Sequence, residues 1–227
     1  GKPLACTRRL LEDNVPEDDD AELRAIGKTF QQQCEANEQT LLPALAYYGP
    51  QRIWVDSSLL KNFERSLTER TVGYEECLEP SSSYNSTWFE HVTKAALEEV
   101  QQSATLQRNL LIKEAIQKAV DICLESTGLR DLYYNFKLKC FVVSHPLTGE
   151  MIVDDLSDGF RSIISMVADL AYRMVRLNPQ LGERAVLETP GLVLIDEIDM
   201  HLHPLWQQTV LLDLQKAFPK VQFIVTT

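Results

Sequence analysis

The chain has 227 residues, 44% hydrophobic and 24% charged, the make-up of a globular protein able to bury a large core as one domain or as a core with an inserted subdomain. A net charge of −11 excludes a surface that binds nucleic acid as a whole, so any phosphate contact must come from a local patch. No apolar run approaches the ~18 residues of a membrane span and the N-terminus carries no basic-then-apolar signal, which reads as a cytoplasmic protein without membrane contact.

Along the chain, EDNVPEDDDAE at residues 12–22 is acidic and nearly free of apolar side chains, as in a solvated loop or linker; an acidic tail with a role of its own is the alternative. LLPALAYYG, residues 41–49, reads as a buried strand ended by Gly49-Pro50. The period then changes. Asp56-Ser57 can cap a helix carrying Leu59, Leu60, Phe63 and Leu67 on one face, and EPSSSYNS, residues 79–86, is a loop. Helical spacing runs over residues 88–125 through Val92, Ala96, Val100, Ile112, Ile116, Ala119 and Cys123, with Gly128 as the stop. The middle third is therefore expected to be a helical lobe.

KLKCFVV, residues 137–143, restores strand character, and SHPLTGE turns it into MIVDD as a hairpin. A long helix begins near Ser157, followed by an apolar strand at 192–195, a helix over 204–217 and the strand VQFIV at 221–225. Two apolar strands joined by such a helix make a βαβ crossover, so this sheet is expected to be parallel. Cys6, Cys34, Cys77, Cys123 and Cys140 are scattered, with no C-x-x-C pair, and read as reduced structural thiols.

Two motifs carry chemistry. Leu192, Val193, Leu194 and Ile195 show no alternation, as when helices cover both faces of a parallel sheet, and such sheets bind ligands at the carboxyl ends of their strands. Asp196 and Glu197 stand at that end, where one carboxylate can hold Mg²⁺ and the other activate a water that attacks a phosphate; a solvated acidic turn is the plain alternative. His201 and His203, with Asp199, could instead join them in a Zn²⁺ or Mn²⁺ cluster. In DDLSDGFRS, residues 154–162, Ser157 precedes a helix with Phe160, Ile164, Val167, Ala171 and Met174 on one face. Ser157 and Gly159 suit either ordinary N-capping or a helix start that accepts phosphate.

In this order, LSDGF and LVLIDE resemble the signature and Walker B motifs of ABC-type ATPase heads, with Asp158 and Phe160 as departures from LSGGQ. DEIDMHLHPLWQQ, LPALAYYGPQR, LNPQL and VQFIVTT narrow the resemblance to the overcoming-lysogenization-defect-like group, and within it to the ATPase subunits of Septu-type and retron-associated anti-phage systems. The resemblance covers residues 40–227 and is densest after 150.

It implies an α/β fold, an ABC-ATPase-like head with a parallel core sheet, a β-hairpin and an inserted helical lobe. Residues 1–55 would belong to the N-terminal ATPase lobe, 56–136 to the helical insertion, and 137–227 to the signature and Walker B part of the core. It further implies that Glu197 is the catalytic base, that Asp196 and Gln51 serve Mg²⁺, and that Ser157, Asp158 and Gly159 touch ATP held by a second subunit. Asp199, His201 and His203 would lie in the intersubunit D-loop. The implied partners are a second copy in a head-to-tail dimer or higher oligomer, an HNH-type nuclease subunit, and a retron reverse transcriptase with its DNA or RNA. A DNA-repair-type, ATP-gated clamp is the alternative role. No G-x-x-x-x-G-K-[ST] occurs, so the chain is expected to be a fragment, with the phosphate-holding loop before residue 40, the switch histidine after Thr227, and weak ATP binding on its own.

Overall fold

A computed structural model describes residues 41–50, 70–79 and 106–227, with side chains from 110 in the last range, together with the backbone of Thr7–Leu10 and Pro16–Asp19 and isolated residues between 25 and 40. Gln51, the helix expected after Asp56-Ser57, the 80–86 part of the loop and the helical positions before 106 lie outside the described residues. The chain divides into two units, Gly1–Thr40 and Leu41–Thr227.

In the first unit, β1 (Thr7–Leu10) pairs antiparallel with β2 (Pro16–Asp19). The acidic stretch read as a solvated loop therefore contains a strand. The register sets Arg8 opposite Asp18 and Arg9 opposite Glu17.

The second unit is built on a parallel sheet whose order is β3 (Ala44–Tyr48), β7 (Gly191–Ile195), β8 (Val221–Val225). Between β3 and β7 in sequence come α1 (Leu106–Leu124), β4 (Arg130–Asn135), β5 (Cys140–His145), β6 (Gly149–Ile152), α2 (Asp158–Leu177) and α3 (Ala185–Glu188). The βαβ crossover expected near the C-terminus is present, since β7 and β8 run parallel. The helix expected over 204–217 is two, α4 (Pro204–Gln207) and α5 (Val210–Ala217), with Gln208 and Thr209 between them.

The strand 140–145 and the turn to β6 agree with the hairpin reading, and β4, which sequence patterning missed, adds a third antiparallel strand, in the order β4-β5-β6. Val153–Asp155, read as the end of a strand, forms a single 3₁₀ turn that leads the chain into α2. At the end of α1, a short 3₁₀ turn closes on Gly128 at φ +80, a left-handed conformation that glycine adopts without penalty.

The core lies around α2. All of its residues from Ser162 to Leu177 are buried, so this helix is enclosed on nearly every side rather than along the one stripe that spacing predicts. It packs against α1, β3 and the 3₁₀ segment Arg70–Tyr74. Ile163, Ile164, Val167, Leu170 and Met174 are all nearly fully buried, and each side chain of this size contributes roughly 1.5–3 kcal/mol when removed from water.

Two of the buried polar residues on α2, Asp169 and Arg173, are tied to the sheet and to the segment beside it. Asp169 accepts from Tyr48 Oη at 2.8 Å and from Arg173 Nε at 2.7 Å, while Arg173 Nη1 donates to the carbonyls of Gly73 and Glu75 at 3.0 and 2.8 Å. Just past the helix, the buried Asn178 side chain accepts from Leu42 N and donates to Leu42 O, both at 2.8 Å, imitating a strand pair beside β3. Thus α2 is fastened to the sheet at its middle and at its end.

One expectation about the sheet is corrected. Val193 and Ile195 are buried, but Leu194 is 36% exposed and Ile224 49% exposed, so the sheet face they share is not covered as fully as the unbroken apolar run suggested. Among the described residues no helix is long and apolar enough to cross a membrane.

Candidate functional site

The carboxyl edge of the parallel sheet gathers three strand exits. Asp196 N donates to Tyr48 O at 2.9 Å, continuing the β3–β7 ladder by one residue. On the other side, Thr226 N donates to Ile195 O and Ile198 N donates to Thr226 O, each at 3.0 Å. The Thr226 hydroxyl donates to Asp196 Oδ1 and accepts from Glu197 N, the latter at 2.9 Å.

Glu197 takes φ +48, a left-handed conformation uncommon outside glycine, and so turns sharply away from the strand with its side chain exposed. The turn that follows is held by Met200 N donating to Glu197 O at 3.0 Å and Leu202 N donating to Asp199 O at 3.1 Å. His201 is also left-handed, at φ +62. Such outliers collect at functional turns when the surrounding structure holds them in place.

The second cluster is the start of α2. Ser157 stands at the N-cap with extended backbone, as its residue type predicts, yet its side chain makes no capping hydrogen bond. Asp158 forms an ion pair with Arg161 one turn on. Gly159 is buried against the turn after β7: an added Cβ would lie 2.4 Å from His201 O and 2.9 Å from Leu202 Cδ2. Its lack of a side chain is therefore needed for packing, a reason distinct from room for an anion. Phe160 stacks on Trp206 of α4, with ring centroids 4.6 Å apart.

The two motifs 40 residues apart in sequence thus meet through Gly159 and the 199–202 turn. Asp196 and Glu197 share the strand exit, and Ser157, Asp158 and Gly159 share the helix start. His203 is accounted for by capping: its Nδ1 accepts from Leu205 N at 3.3 Å, and Pro204 occupies the first helical position, where a missing N–H costs nothing. Asp199 lends its carbonyl to Gln207 Nε2 at 3.2 Å.

Among the described residues no group of three or more His, Cys, Asp and Glu side chains gathers to hold a metal, so the transition-metal cluster does not form from this turn. What remains at the sheet edge is a half-buried carboxylate, Asp196, a hard oxygen donor. Among the described cysteines, burial pushes the thiols of Cys77, Cys123 and Cys140 up, as expected of structural thiols.

Sequence reasoning missed Thr226, Tyr48 and Asp169 as participants. Thr226 had a usable signal: the exit of a strand predicted to pair with β7 must stand beside Asp196. Tyr48 and Asp169 had none, because their hydrogen bond joins residues 121 apart in the chain.

The model of the family described as "AAA domain, putative AbiEii toxin, Type IV TA system" matches residues 57–227, which contain both clusters and most of the chain. The chain belongs to this family. Over 99% of its length this AAA-domain chain is 26% identical to "Retron Vc95 probable ATPase" of Vibrio cholerae serotype O1 biovar El Tor, covering 52% of that protein. It is 50% identical over 72 residues to "Retron Ec83 probable ATPase" of Escherichia coli, which is 32% of this chain and 13% of that one. It is 45% identical over 75 residues to "Septu protein PtuA" of Bacillus mycoides strain KBAB4, 33% and 10% of the respective chains. The AAA-domain chain spans about half the length of the first of these relatives and smaller parts of the other two. These similarities group it with the retron probable ATPases and the Septu protein PtuA.

Proposed function

We propose that this AAA domain supplies the water-activating half of an ABC-type ATP-hydrolysis site, within an ATPase subunit of a bacterial anti-phage defence complex. The observation that carries the reading is the adjacency of two features. An Asp-Glu pair stands at the carboxyl edge of a parallel sheet, and an N-terminal helix turn without a side-chain cap packs against the loop leaving that pair.

In this reading Glu197 accepts the proton of the water that attacks the γ-phosphate, and its turned backbone sets the carboxylate beyond the strand. Asp196 and Gln51 would hold Mg²⁺, which when bound offsets charge on the phosphate oxygens. Ser157, Asp158 and Gly159 present helix-start amides to ATP held by the opposite subunit, favoured by the partial positive charge at a helix N-terminus. Asp199, His201 and His203 lie in the turn that faces that subunit. The two copies pair head to tail, so that ATP joins them and hydrolysis separates them.

The division into an N-terminal lobe part (1–55), a helical insertion (56–136) and a core part (137–227) belongs to the same proposal, as does a cytoplasmic location. At the level of the complex, the nucleotide state controls an HNH-type nuclease, with a retron reverse transcriptase and its DNA or RNA as further partners. The names of the retron and Septu relatives support membership of a multi-component defence system. Purifying the full-length protein with what accompanies it tests the reading. ATP hydrolysis and a copurifying nuclease are expected. Hydrolysis with DNA alone would favour the ATP-gated clamp, and absence of hydrolysis would overturn the ATPase assignment.

A further inference from the structure

We propose that Thr226 is a positioning residue for the Asp196–Glu197 pair, acting through one hydroxyl that holds the carboxylate of the first and the backbone of the second; this rests on the ATPase reading above. A threonine hydroxyl has one proton to give and lone pairs to accept with. Here the proton goes to Asp196 Oδ1, and a lone pair receives Glu197 N–H at 2.9 Å. The backbone of Thr226 is itself pinned on both sides, by Ile195 O and by Ile198 N, each at 3.0 Å. The hydroxyl is therefore carried by a residue whose own backbone is paired through both its N–H and its carbonyl.

The position explains why a fixed clip is useful. Glu197 leaves the strand at φ +48, a conformation that non-glycine residues visit rarely, and the direction of its carboxylate depends on that turn keeping its shape. Asp196 precedes it on the last rung of the ladder. One hydroxyl bonded to both residues fixes the rotamer of Asp196 relative to the turn at Glu197, so metal support and proton abstraction share one frame. A group that orients carboxylates in this way typically changes metal affinity or activity by about 10–100-fold when removed.

Valine at 226 keeps the branched shape and the backbone pairing but has no hydroxyl, whereas serine keeps the hydroxyl. In the full-length protein, Thr226→Val is expected to raise the Mg²⁺ concentration for half-maximal hydrolysis and lower kcat, each by about tenfold or more. KM for ATP should move by less than about threefold, because the hydroxyl acts on the Asp196–Glu197 turn. Thr226→Ser restores both. Independently of activity, amide hydrogen exchange in the peptide containing Glu197 should accelerate in Thr226→Val and return toward wild type in Thr226→Ser, while β3 stays protected.

Equal loss of protection in both variants would assign the effect to packing of β8 and overturn the proposal, as would unchanged exchange together with unchanged Mg²⁺ dependence in Thr226→Val. Failure of the wild-type protein to hydrolyse ATP would remove the ATPase reading, and with it the catalytic meaning of the clip, and is separable because the exchange measurement does not require turnover.

Discussion

Substituting Asp169 by alanine should expose how α2 is held to the sheet. The Asp169–Arg173 pair is closed at 2.7 Å with side-chain exposures of 3% and 7%, and Arg173 also donates to the carbonyls of Gly73 and Glu75. Without the carboxylate the guanidinium keeps its charge in a desolvated place, a change that costs about 3–5 kcal/mol. For a chain of this size each kcal/mol lowers Tm by about 2–4 °C, so Asp169→Ala should fall by roughly 6–20 °C. Burial alone would lower the pKa of Arg173, but Asp169 and Tyr48 outweigh it and hold the guanidinium above its usual range. Its contribution is thus fully present below that range, and the loss in Asp169→Ala should not vary between mildly acidic and mildly alkaline pH.

The assay is thermal unfolding followed by circular dichroism, with the double variant Asp169→Leu, Arg173→Met as a control that removes both charges and should recover most of the loss. Tyr48→Phe removes one hydrogen bond and leaves the ion pair, and should cost about 1–3 kcal/mol. A Tm for Asp169→Ala within about 2 °C of wild type would refute the picture of a desolvated, mutually dependent pair.

Gly159→Ala places a Cβ 2.4 Å from His201 O, which is backbone and cannot swing aside, so unfolding should show a loss of about 1–3 kcal/mol; an unchanged Tm would mean that the 199–202 turn does not rest on this helix. Burial lifts the carboxyl of Asp121 above 3.8, opposed by the N–H of Asp131 at 2.7 Å. An acid with a raised folded pKa weakens folding once it is ionised above that value, so Asp121→Asn, which keeps the accepting oxygen, should raise Tm at about pH 7. The gain should disappear by about pH 3, where both side chains are neutral, as a Tm-versus-pH series would show. Cys77, Cys123 and Cys140 are buried with raised pKa values, so a thiol reagent should leave them unmodified in the folded protein at neutral pH and label them after denaturation.

The elements legible in sequence were those whose signal is local. An apolar run ending in Asp196-Glu197 is enough to place a buried strand and its exit, and the spacing through Ile112, Ile116, Ala119 and Cys123 is enough for α1. Gly128 and Pro204 act as punctuation through their backbone chemistry alone. What stayed hidden depends on partners distant in the chain. The strand Pro16–Asp19 is defined by its pairing with β1, and β4 by pairing with β5. The break between α4 and α5 falls at Gln208 and Thr209, neither of which breaks a helix by residue type.

For the candidate site the chemical pair was readable, while the device that shapes it was not. Composition cannot reveal that Thr226 bonds both Asp196 and Glu197, nor that Gly159 answers to His201 O. The alternatives open at the sequence level were narrowed by placement: His203 is occupied as a helix cap, and Asp199, His201 and Asp196 do not gather into a metal cluster among the described residues.

The most direct test of the account is Glu197→Gln in the full-length protein, an isosteric change that removes the base while leaving the backbone bond to Thr226. Hydrolysis should fall by about 10²–10⁴-fold, with ATP binding retained and an ATP-dependent dimer accumulating in size-exclusion chromatography coupled to light scattering. Hydrolysis at the wild-type rate would contradict the account, because Glu197 could not then be the group that activates the attacking water.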